Sequence, residues 1–317
     1  MTKLDESSII EIFQKNLSKK RFVSEDVEFF NIGKTRIVAK IDTLVESTDI
    51  PSKMKLSDAA RKSIIACVSD FAAKGIKPQY GIISVCLPKT ISRTKINEIA
   101  KGFKKACNDY NISILGGDTN EGKEIVFNVC IFGEGDKIVS RKDSKKDDLI
   151  FVTGPFGYTT SGLNMMILGK KKGKQNFIKK SIHAVTNPKP KLNFGLKNKK
   201  YFSSSMDSSD GLSTTLNEMS KQTKKKFIIN NIPATKDLKE HVKLNKLNLN
   251  NLVFHGGEEY EFVFTIAPKY KQRILKNAQI LKTPIIEIGY VTSGKGVFLQ
   301  EKNNHIVLKD LGWKHFK

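Results

Sequence analysis

The sequence has few of the residues that build zinc sites, disulfides or covalent nucleophile systems. Its 317 residues include four cysteines, five histidines and one tryptophan. The cysteines, Cys67, Cys86, Cys107 and Cys130, lie inside apolar segments without the Cys-x-x-Cys spacing of zinc or redox sites, so we expect buried free thiols. The histidines have no metal-ligand spacing, and no Ser-His-Asp or Cys-His system is recognisable. Zinc binding and covalent catalysis are therefore not favoured.

Long hydrophobic runs are also missing. The sequence has no stretch of about 18 apolar residues, and its first residues, Met-Thr-Lys-Leu-Asp-Glu, contain no apolar signal region. We therefore expect a cytoplasmic protein that does not enter a membrane. The chain is 39% hydrophobic, and its length approaches the size at which a single core splits. The length thus predicts two domains, which we place at residues 1–145 and 146–317.

Positive charge is abundant. There are 55 Lys and Arg against 32 Asp and Glu, a formal net charge of +23, so we expect the protein to attract anions such as nucleotides, phosphate esters or nucleic acid. The lysines are spread along the chain, and their local clusters are not interleaved with aromatic residues as in a groove for single-stranded nucleic acid. A solvated basic surface is therefore favoured over a nucleic-acid stripe.

The first half of the chain alternates predicted strands and helices, which favours a sheet covered on one side by helices. One helix is expected to begin after Ser57 as N-cap and to end near Gly75. It would direct an apolar stripe inward, made of Ala60, Ile64, Cys67, Val68 and Phe71. Asp70 lies beside this stripe. Its carboxylate is either paired or bound to a ligand, because an unpaired buried charge is costly, or it points sideways to solvent.

A glycine pair follows a predicted strand at residues 112–115. Gly116 and Gly117 have no Cβ and could bring backbone N–H groups close to a ligand, with Asp118 supplying oxygen; a simple tight turn is the alternative. Carboxylates stand beside small or hydroxyl residues at five other junctions. These are Glu25-Asp26, Asp42-Thr43, Ser69-Asp70, Asp207 to Asp210, and Gly256-Gly257-Glu258-Glu259.

These acidic junctions point to hard divalent cations. Asp207 and Asp210 precede a predicted helix, and capping explains one of them but leaves the other. Magnesium is usually held by one or two carboxylates together with substrate phosphates, so many carboxylates suggest several ions sharing a polyphosphate. Phosphoryl transfer is the chemistry that requires this arrangement, because it depends on charge neutralisation and on alignment of the attacking and leaving oxygens.

Six motifs, in order along nearly the whole chain, resemble those of the thiamine-monophosphate kinase family, which belongs to the aminoimidazole-ribonucleotide-synthetase-like ATP-binding superfamily. They are Asp42-Thr43-Leu44-Val45-Glu46, Val68-Ser69-Asp70-Phe71-Ala72-Ala73-Lys74-Gly75, Gly116-Gly117-Asp118-Thr119, Asp207-Ser208-Ser209-Asp210-Gly211-Leu212, Gly256-Gly257-Glu258-Glu259-Tyr260-Glu261 and Gly312-Trp313-Lys314-His315-Phe316. The resemblance implies a two-domain α/β fold of the superfamily type. Its N-terminal domain would bind ATP and metal and pair in a homodimer, and its C-terminal α/β domain would lie on the substrate side.

The resemblance also implies an activity: ATP-dependent phosphorylation of thiamine monophosphate to thiamine diphosphate, with several Mg²⁺ ions per site. By motif match, the metal carboxylates would be Asp26, Asp42, Asp70, Asp118, Asp207 and Asp210, and we take Asp207 and Asp210 as the catalytic pair. ATP would contact Gly117, Asp118, Arg141 and Ser209. The thiamine end would meet Glu258 and Trp313, although Trp313 could instead be a core residue near the terminus.

Three departures from the family pattern affect these expectations. The usual Gly-Asp-Asp-Ala is Ser24-Glu25-Asp26-Val27, which keeps two acids but loses the glycine. Many members carry a substrate-contacting histidine where this chain has Ser47-Thr48-Asp49, so Asp49 becomes the candidate for that contact. Glu259 replaces the usual aspartate. Two other functions remain open: another ATP-dependent activity of the superfamily, as in aminoimidazole ribonucleotide synthetase or hydrogenase maturation, and more remotely a basic nucleic-acid-binding protein.

Overall fold

The computed structural model describes residues 5–17, 24–169, 173–302 and 304–316, and the charged stretch at 170–172 lies outside them. Its helices are α1 Glu6–Leu17, α2 Glu46–Asp49, α3 Leu56–Lys74, α4 Arg93–Tyr110, α5 Tyr158–Leu168, α6 Gln175–Thr186, α7 Leu192–Asn198, α8 Leu212–Thr223, α9 Lys236–Asn245, α10 Leu249–Phe254 and α11 Lys271–Ile280. Its strands are β1 Glu28–Ile32, β2 Thr35–Val45, β3 Lys77–Pro88, β4 Ser113–Gly122, β5 Val126–Glu134, β6 Leu149–Val152, β7 Phe202–Asp207, β8 Lys226–Ile229, β9 Phe262–Ile266, β10 Ile286–Thr292, β11 Gly296–Glu301 and β12 Asn304–Val307. None of these helices is long and apolar enough to cross a membrane.

The first sheet has the strand order β1-β2-β5-β3-β4. Residues alternate between its two faces, so that Phe127, Val129 and Ile131 of β5 are buried while their neighbours are not. Only the β3–β4 pair is parallel. Helix α3 packs against β2, β3 and β5 of this sheet and also against α4. The prediction of a mixed α/β first half with helices on one side of a sheet is confirmed.

The opposite side of the first sheet, which we call the open face, carries exposed apolar residues. Ile41 of β2 and Tyr80 and Ile82 of β3 are 64%, 49% and 41% exposed. Ile41 and Ile82 both align with Cys130 of β5, so the register puts all three on one face. An apolar patch of this kind is typical of an interaction surface rather than of a solvated one.

The second sheet contains the remaining strands in the order β12-β11-β8-β10-β6-β9-β7. The β8–β11 pair is parallel and the other pairs are antiparallel. Its strands β6, β8 and β9 are almost wholly buried. The serine-rich segment before Asp207, which sequence patterning left without a secondary structure, forms strand β7. Ser205 makes this possible, because its buried hydroxyl donates to the Ala73 carbonyl of α3.

Helix α3 lies between the two sheets. It packs against β2 and β5 on one side and against β7 and β9 on the other, and one hydrophobic cluster joins Phe71 to Ile131 and Phe262. The residues predicted to point inward are all buried, which confirms that part of the prediction. The burial extends further than predicted, because a helix between two sheets is buried around most of its circumference. It begins at Leu56 after Lys55, not after Ser57, and Gly75 ends it in a left-handed conformation (φ 65°) as expected.

Two glycine-rich stretches differ from the prediction. Strand β4 does not stop before the glycine pair but runs through it to Gly122, and a Cβ on Gly117 would lie 1.7 Å from the Ile83 carbonyl oxygen. Gly117 is therefore required by strand packing and does not lie in the predicted loop; its contact with ATP stays a prediction. In the second half, where alternation predicts a strand from Glu259 to Ile266, β9 begins only at Phe262, and Glu258 lies in the loop before it.

Candidate active site

Three acidic residues that are distant in sequence meet in one buried group. Asp26 precedes β1, Asp70 lies on α3, and Asp207 ends β7; one carboxylate oxygen from each lies within 4.8 Å of the others. All three are at most 5% exposed. The position of α3 between the sheets produces this convergence, because it carries Asp70 to the end of β7. We call Asp26, Asp70 and Asp207 the acidic cluster.

Asp42 is attached to the acidic cluster through a lysine. Lys40 Nζ lies 2.8 Å from Asp70 Oδ2 and 3.5 Å from Asp42 Oδ1. Lys40 and Asp42 are two residues apart on β2, so both face α3, and Asp70 is paired rather than directed to solvent. Burial lowers the pKa of Lys40, but the charges of Asp70 and Asp42 outweigh it and raise that pKa well above its usual range. Lys40 is therefore a permanent cation at this site.

Burial and, after it, mutual repulsion shift the titration of two members of the acidic cluster. Burial and the charge of Asp207 raise the pKa of Asp70 well above its usual range. Burial and the charge of Asp26 raise the pKa of Asp207 to about 7. Asp26 differs: burial opposes its ionisation, but Arg141 and Lys74 hold its pKa at about 2. Two of the three carboxylates therefore carry an electrostatic strain that a bound cation would relieve.

Asp26 is held by two cations from different parts of the chain. Arg141 Nε donates to Asp26 Oδ1 at 2.8 Å, and Lys74 Nζ lies 2.9 Å from Asp26 Oδ2. Lys74 also contacts Glu25 Oε2 at 2.8 Å, while Glu25 Oε1 accepts a 2.8 Å bond from the Ser140 hydroxyl. Glu25 is thus a structural acid that fixes the glycine-free loop, and Asp26 is the acid directed into the cluster.

Lys74 was missed at the sequence level. It is completely buried, and its ammonium also donates to the Ser205 carbonyl at 2.9 Å. The available signal was a lysine four residues after Asp70, in the last turn of an otherwise apolar helix. Arg141 was predicted to contact ATP, and here it pairs with Asp26 and Ser24; the ATP contact stays a prediction.

A second part of the site lies where three loops meet. The Ser209 carbonyl accepts a 2.6 Å hydrogen bond from Glu258 N, and the next carbonyl, that of Asp210, accepts a 2.8 Å bond from Trp313 N. A Cβ on Gly257 would lie 2.6 Å from the Ser209 oxygen, so only glycine allows this approach. Both residues predicted for the thiamine end are therefore attached to one short segment, which begins at the acidic cluster.

The single tryptophan is not a core residue. Trp313 is 55% exposed, and its ring meets only the edge of His315 among the ring contacts of the described residues, at 6.1 Å between centroids. The alternative of a buried core residue is wrong. An exposed indole beside Asp210 is free to pack against a ligand.

Asp49 has a local role. Its Oδ2 accepts a 2.7 Å hydrogen bond from Val45 N and thereby closes the turn of α2. Its backbone carbonyl accepts a 3.0 Å bond from Lys62 Nζ, and the same ammonium pairs with Glu258 Oε1. The predicted substrate contact of Asp49 stays a prediction. Lys62 was not singled out from the sequence, although a lysine inside the apolar pattern of α3 was a signal for a buried partner.

Not every predicted metal ligand joins the acidic cluster. Asp118 is exposed on β4 and aligns with Ser84 of β3. Ser84 and Thr43 both align with Asn128 of β5, so Asp118 and Thr43 lie on the open face. Asp42, the neighbour of Thr43, lies on the opposite face. Asp210 and Ser209 are exposed at the loop junction. The monomer therefore brings together Asp26, Asp70 and Asp207, with Asp42 as a neighbour.

The acidic cluster fits a magnesium site. Its donors are carboxylate oxygens from three separate segments, and histidine and cysteine contribute none to the group. Hard divalent cations prefer such oxygens. The raised pKa values of Asp70 and Asp207 indicate that the group is assembled at an electrostatic cost, which is typical of a functional site.

Comparison with known proteins defines first a class and then a family. Residues 24–134 match the family described as AIR synthase related protein, N-terminal domain. The whole chain is 67% identical, over 317 residues and 100% of both chains, to the thiamine-monophosphate kinase of Nitrosopumilus maritimus (strain SCM1). The chain belongs to the thiamine-monophosphate kinase family.

Solved structures agree with this assignment. The fold is similar to that of AaThiL complexed with AMPPCP and TMP, with 26% identity, a TM-score of 0.88, and coverage of 99% of this chain and 98% of that chain. It is also similar to hydrogenase maturation protein HypE, with a TM-score of 0.72 over 94% of each chain. At 16% identity the HypE match shows the fold alone.

Proposed function

We propose that this protein transfers the γ-phosphoryl group of ATP directly to the phosphate of thiamine monophosphate, giving thiamine diphosphate and ADP. The observation that carries the proposal is the connection between the acidic cluster and the Glu258–Trp313 junction through residues 207–210. On this proposal, the segment links a cation-binding group to a platform for an aromatic cation. The 67% identical relative named as this kinase supports the same activity.

The acidic residues would hold magnesium. Asp26, Asp70 and Asp207 form the first group of ligands, and Asp42 stands beside them; Asp118 and Asp210 are assigned by family resemblance. When bound, Mg²⁺ neutralises phosphate charge and favours in-line transfer between oxygens. Six carboxylates exceed what one hydrated octahedral ion needs, so we expect more than one ion per site.

The chain's own cations and loops prepare the site. Lys40 and Lys74 hold the acidic side chains at fixed positions, so that little reorganisation is required when ligands bind. Arg141, Ser209 and Gly117 are the further residues we assign to ATP. Asp207 and Asp210 are the ends of the segment that connects the acidic cluster to the Glu258–Trp313 junction. We assign both to the transferring phosphoryl group.

The acceptor end would be built by Glu258 and Trp313. A thiazolium ring is cationic and aromatic, and it is stabilised both by a carboxylate and by the face of an indole. Transfer from one phosphate to another requires no enzyme nucleophile, so positioning and electrostatics carry the catalysis.

We also assign the chain to a homodimer. The support is the open face, whose apolar residues Ile41, Tyr80 and Ile82 are exposed, and the position of β4 at the edge of the sheet. Leu115 on β4 is 66% exposed. A second copy that covered this face would bury the apolar patch and would also bring Asp118 next to the partner chain. Residues 1–145 would then form the ATP-binding and pairing domain, and residues 146–317 the substrate-side domain.

A coupled ADP-release assay with purified protein tests the activity. Thiamine monophosphate, thiamine and aminoimidazole precursors are compared as acceptors at fixed ATP and Mg²⁺. We expect thiamine monophosphate to be the only one of these acceptors that is turned over, and the product to be thiamine diphosphate. Turnover of an amide or aminoimidazole acceptor instead would favour another activity of the same superfamily. Titration calorimetry with Mg²⁺ and a non-hydrolysable ATP analogue tests whether more than one ion binds.

A further inference from the structure

Lys62 contacts one residue from each half of the chain, Asp49 and Glu258. We propose that it is a positioning residue: by binding the Asp49 carbonyl and the Glu258 carboxylate at once, it orients Glu258 toward the cationic part of the acceptor. The inference rests on the proposed function, because it assigns Glu258 to thiamine monophosphate. Lys62 itself does not touch the substrate in this proposal.

The burial of Lys62 requires both of its contacts. Its side chain is 2% exposed, whereas that of its partner Glu258 is 28% exposed. A buried ammonium is stable only when it is paired and hydrogen-bonded. The 3.0 Å bond to the Asp49 carbonyl and the ion pair with Glu258 Oε1 meet this requirement. Of the two residues, the partly exposed Glu258 is the one that a ligand can reach, and the buried Lys62 holds it in position.

The two partners of Lys62 come from opposite halves of the chain. Asp49 ends α2, directly after β2 of the first sheet, while Glu258 lies in the loop before β9 of the second sheet. Lys62 lies on α3, the helix that packs against both sheets. Its ammonium therefore connects the two halves of the chain beside Glu258.

The loop around Glu258 would not hold its side chain in place without help. Glu258 and Tyr260 both adopt left-handed backbone conformations, with φ of 63° and 51°, which non-glycine residues rarely do. The 2.6 Å bond from Glu258 N to the Ser209 carbonyl fixes the backbone. The ion pair with Lys62 then fixes the side chain through Oε1, and we assign Oε2 to the acceptor.

A purely structural role for Lys62 makes a different prediction, and Arg61 provides the matched control. Arg61 is the preceding residue of α3, is equally buried at 2%, and binds Asp109 and the Pro188 carbonyl. Its partners are not residues of the proposed site. Arg61→Met and Lys62→Met therefore remove similar buried cations from the same helix, and only Lys62→Met releases Glu258.

The test begins with the wild-type enzyme. If wild-type protein does not phosphorylate thiamine monophosphate, the proposed function fails. If it does, KM and kcat are measured for both substrates in the two variants. We expect Lys62→Met to raise KM for thiamine monophosphate roughly 10- to 100-fold, the range for loss of a charged hydrogen bond, with KM for ATP changed less than about two-fold. Arg61→Met should change KM for thiamine monophosphate and KM for ATP by less than about two-fold each.

A double variant tests the mechanism through Glu258. Because Lys62 acts by orienting Glu258, adding Glu258→Gln to Lys62→Met should raise KM for thiamine monophosphate less than about two-fold further. If the effects of the two substitutions multiply, or if Lys62→Met leaves KM for thiamine monophosphate unchanged, the inference is wrong. Should Lys62→Met fail to fold, Lys62→Gln is measured instead by the fluorescence of Trp313, and an unchanged dissociation constant for thiamine monophosphate overturns the inference.

Discussion

Single residues of the acidic cluster combine a proposed functional role with an electrostatic cost. Asp70 and Asp207 are buried next to each other and next to Asp26. Lys40, Lys74 and Arg141 offset part of the charge but leave the pKa of Asp207 raised to about 7. Buried like charges reduce stability and are typical of functional sites. A substitution in the cluster should therefore raise stability while it lowers activity.

This separation gives a prediction for Asp207→Asn. The substitution removes a buried negative charge beside Asp26 and Asp70, so at pH 8 in EDTA we expect the melting temperature to rise by on the order of a few degrees. Turnover should fall below about 1% of wild type, because a metal and phosphoryl contact is lost. Thermal denaturation and the coupled assay measure the two effects. A variant that melts below wild type in EDTA would show that Asp207 is a structural residue.

Trp313 gives a second residue-level prediction. Packing against a cationic ring contributes on the order of 0.5 to 2 kcal/mol, so Trp313→Ala should raise the dissociation constant of thiamine monophosphate roughly 2- to 30-fold and leave ATP binding unchanged. Its 55% exposure predicts little change in melting temperature. As the only tryptophan of the chain, it reports directly by fluorescence. Emission that ignores thiamine monophosphate would contradict the placement of the substrate.

Among the elements, α5 depends on an acid that is distant in sequence. Its N-cap is Gly157, which has no side chain, and Glu259 Oε1 accepts instead from Gly157 N at 2.6 Å and from Thr159 N at 3.3 Å. Burial raises the pKa of Glu259 to about 7 despite these bonds, and Glu261 adds to the effect. The loop that carries Glu258 is thereby attached to the start of a helix.

Glu259 therefore predicts a pH dependence of stability. Below about pH 7 folded Glu259 keeps a proton that the unfolded chain, with a pKa of 4.5, releases. The free energy of unfolding should fall as pH rises from 4.5 to about 7, by about 3 kcal/mol from this residue. Glu259→Gln should remove this part of the difference between pH 5 and pH 8. Urea unfolding at both values measures it.

An exposed glutamate supplies the control for this measurement. Glu240 pairs with Lys174 at the surface, where its side chain is 56% exposed, and surface pairs contribute little to stability. Glu240→Gln should therefore keep the wild-type difference between pH 5 and pH 8. The same pH dependence in wild type and Glu259→Gln would mean that Glu259 is not the titrating group.

At the scale of the whole molecule, α3 and the open face determine the architecture. Helix α3 joins both sheets into one core. The open face leaves apolar side chains of β2 and β3 exposed, and the cover that we propose for it is a second copy of the same sheet. Such pairing would also cover the edge strand β4, which otherwise offers unpaired backbone groups for aggregation.

The dimer proposal predicts a change in assembly. Ile82→Asp introduces a charge into the open face, whereas Ile306→Asp does so on β12, a strand at the edge of the second sheet; the two isoleucines are 41% and 48% exposed. We expect Ile82→Asp to reduce the mass in light scattering from twice the chain mass of 35.6 kDa to a single chain. Ile306→Asp should stay dimeric. If both variants keep the wild-type mass, the open face is not the interface.

The sequence predicted the presence of helices and strands better than the residues at which they begin and end. Helical periodicity predicts helices at residues 95–110 and 159–168, close to the observed α4 and α5, because side-chain spacing and caps are local. It missed β7, whose serine-rich sequence is not typical of a buried strand; the hydroxyl of Ser205 is accommodated there by a hydrogen bond to the Ala73 carbonyl of α3. It also ended β4 at the glycine pair, since glycine is usual in turns and the close approach of Ile83 that requires it here is a tertiary contact.

The sequence by itself determined the family, the acidic junctions and the preference for a hard cation, because motifs and residue chemistry are written locally in the chain. Only the tertiary structure decided that Asp26, Asp70 and Asp207 form one group while Asp118 lies on the opposite face of the sheet. It also revealed Lys62 and Lys74 as internal cations. The physical reason is that a lysine's long side chain reaches partners far away in sequence, and packing of α3 between two sheets selects them.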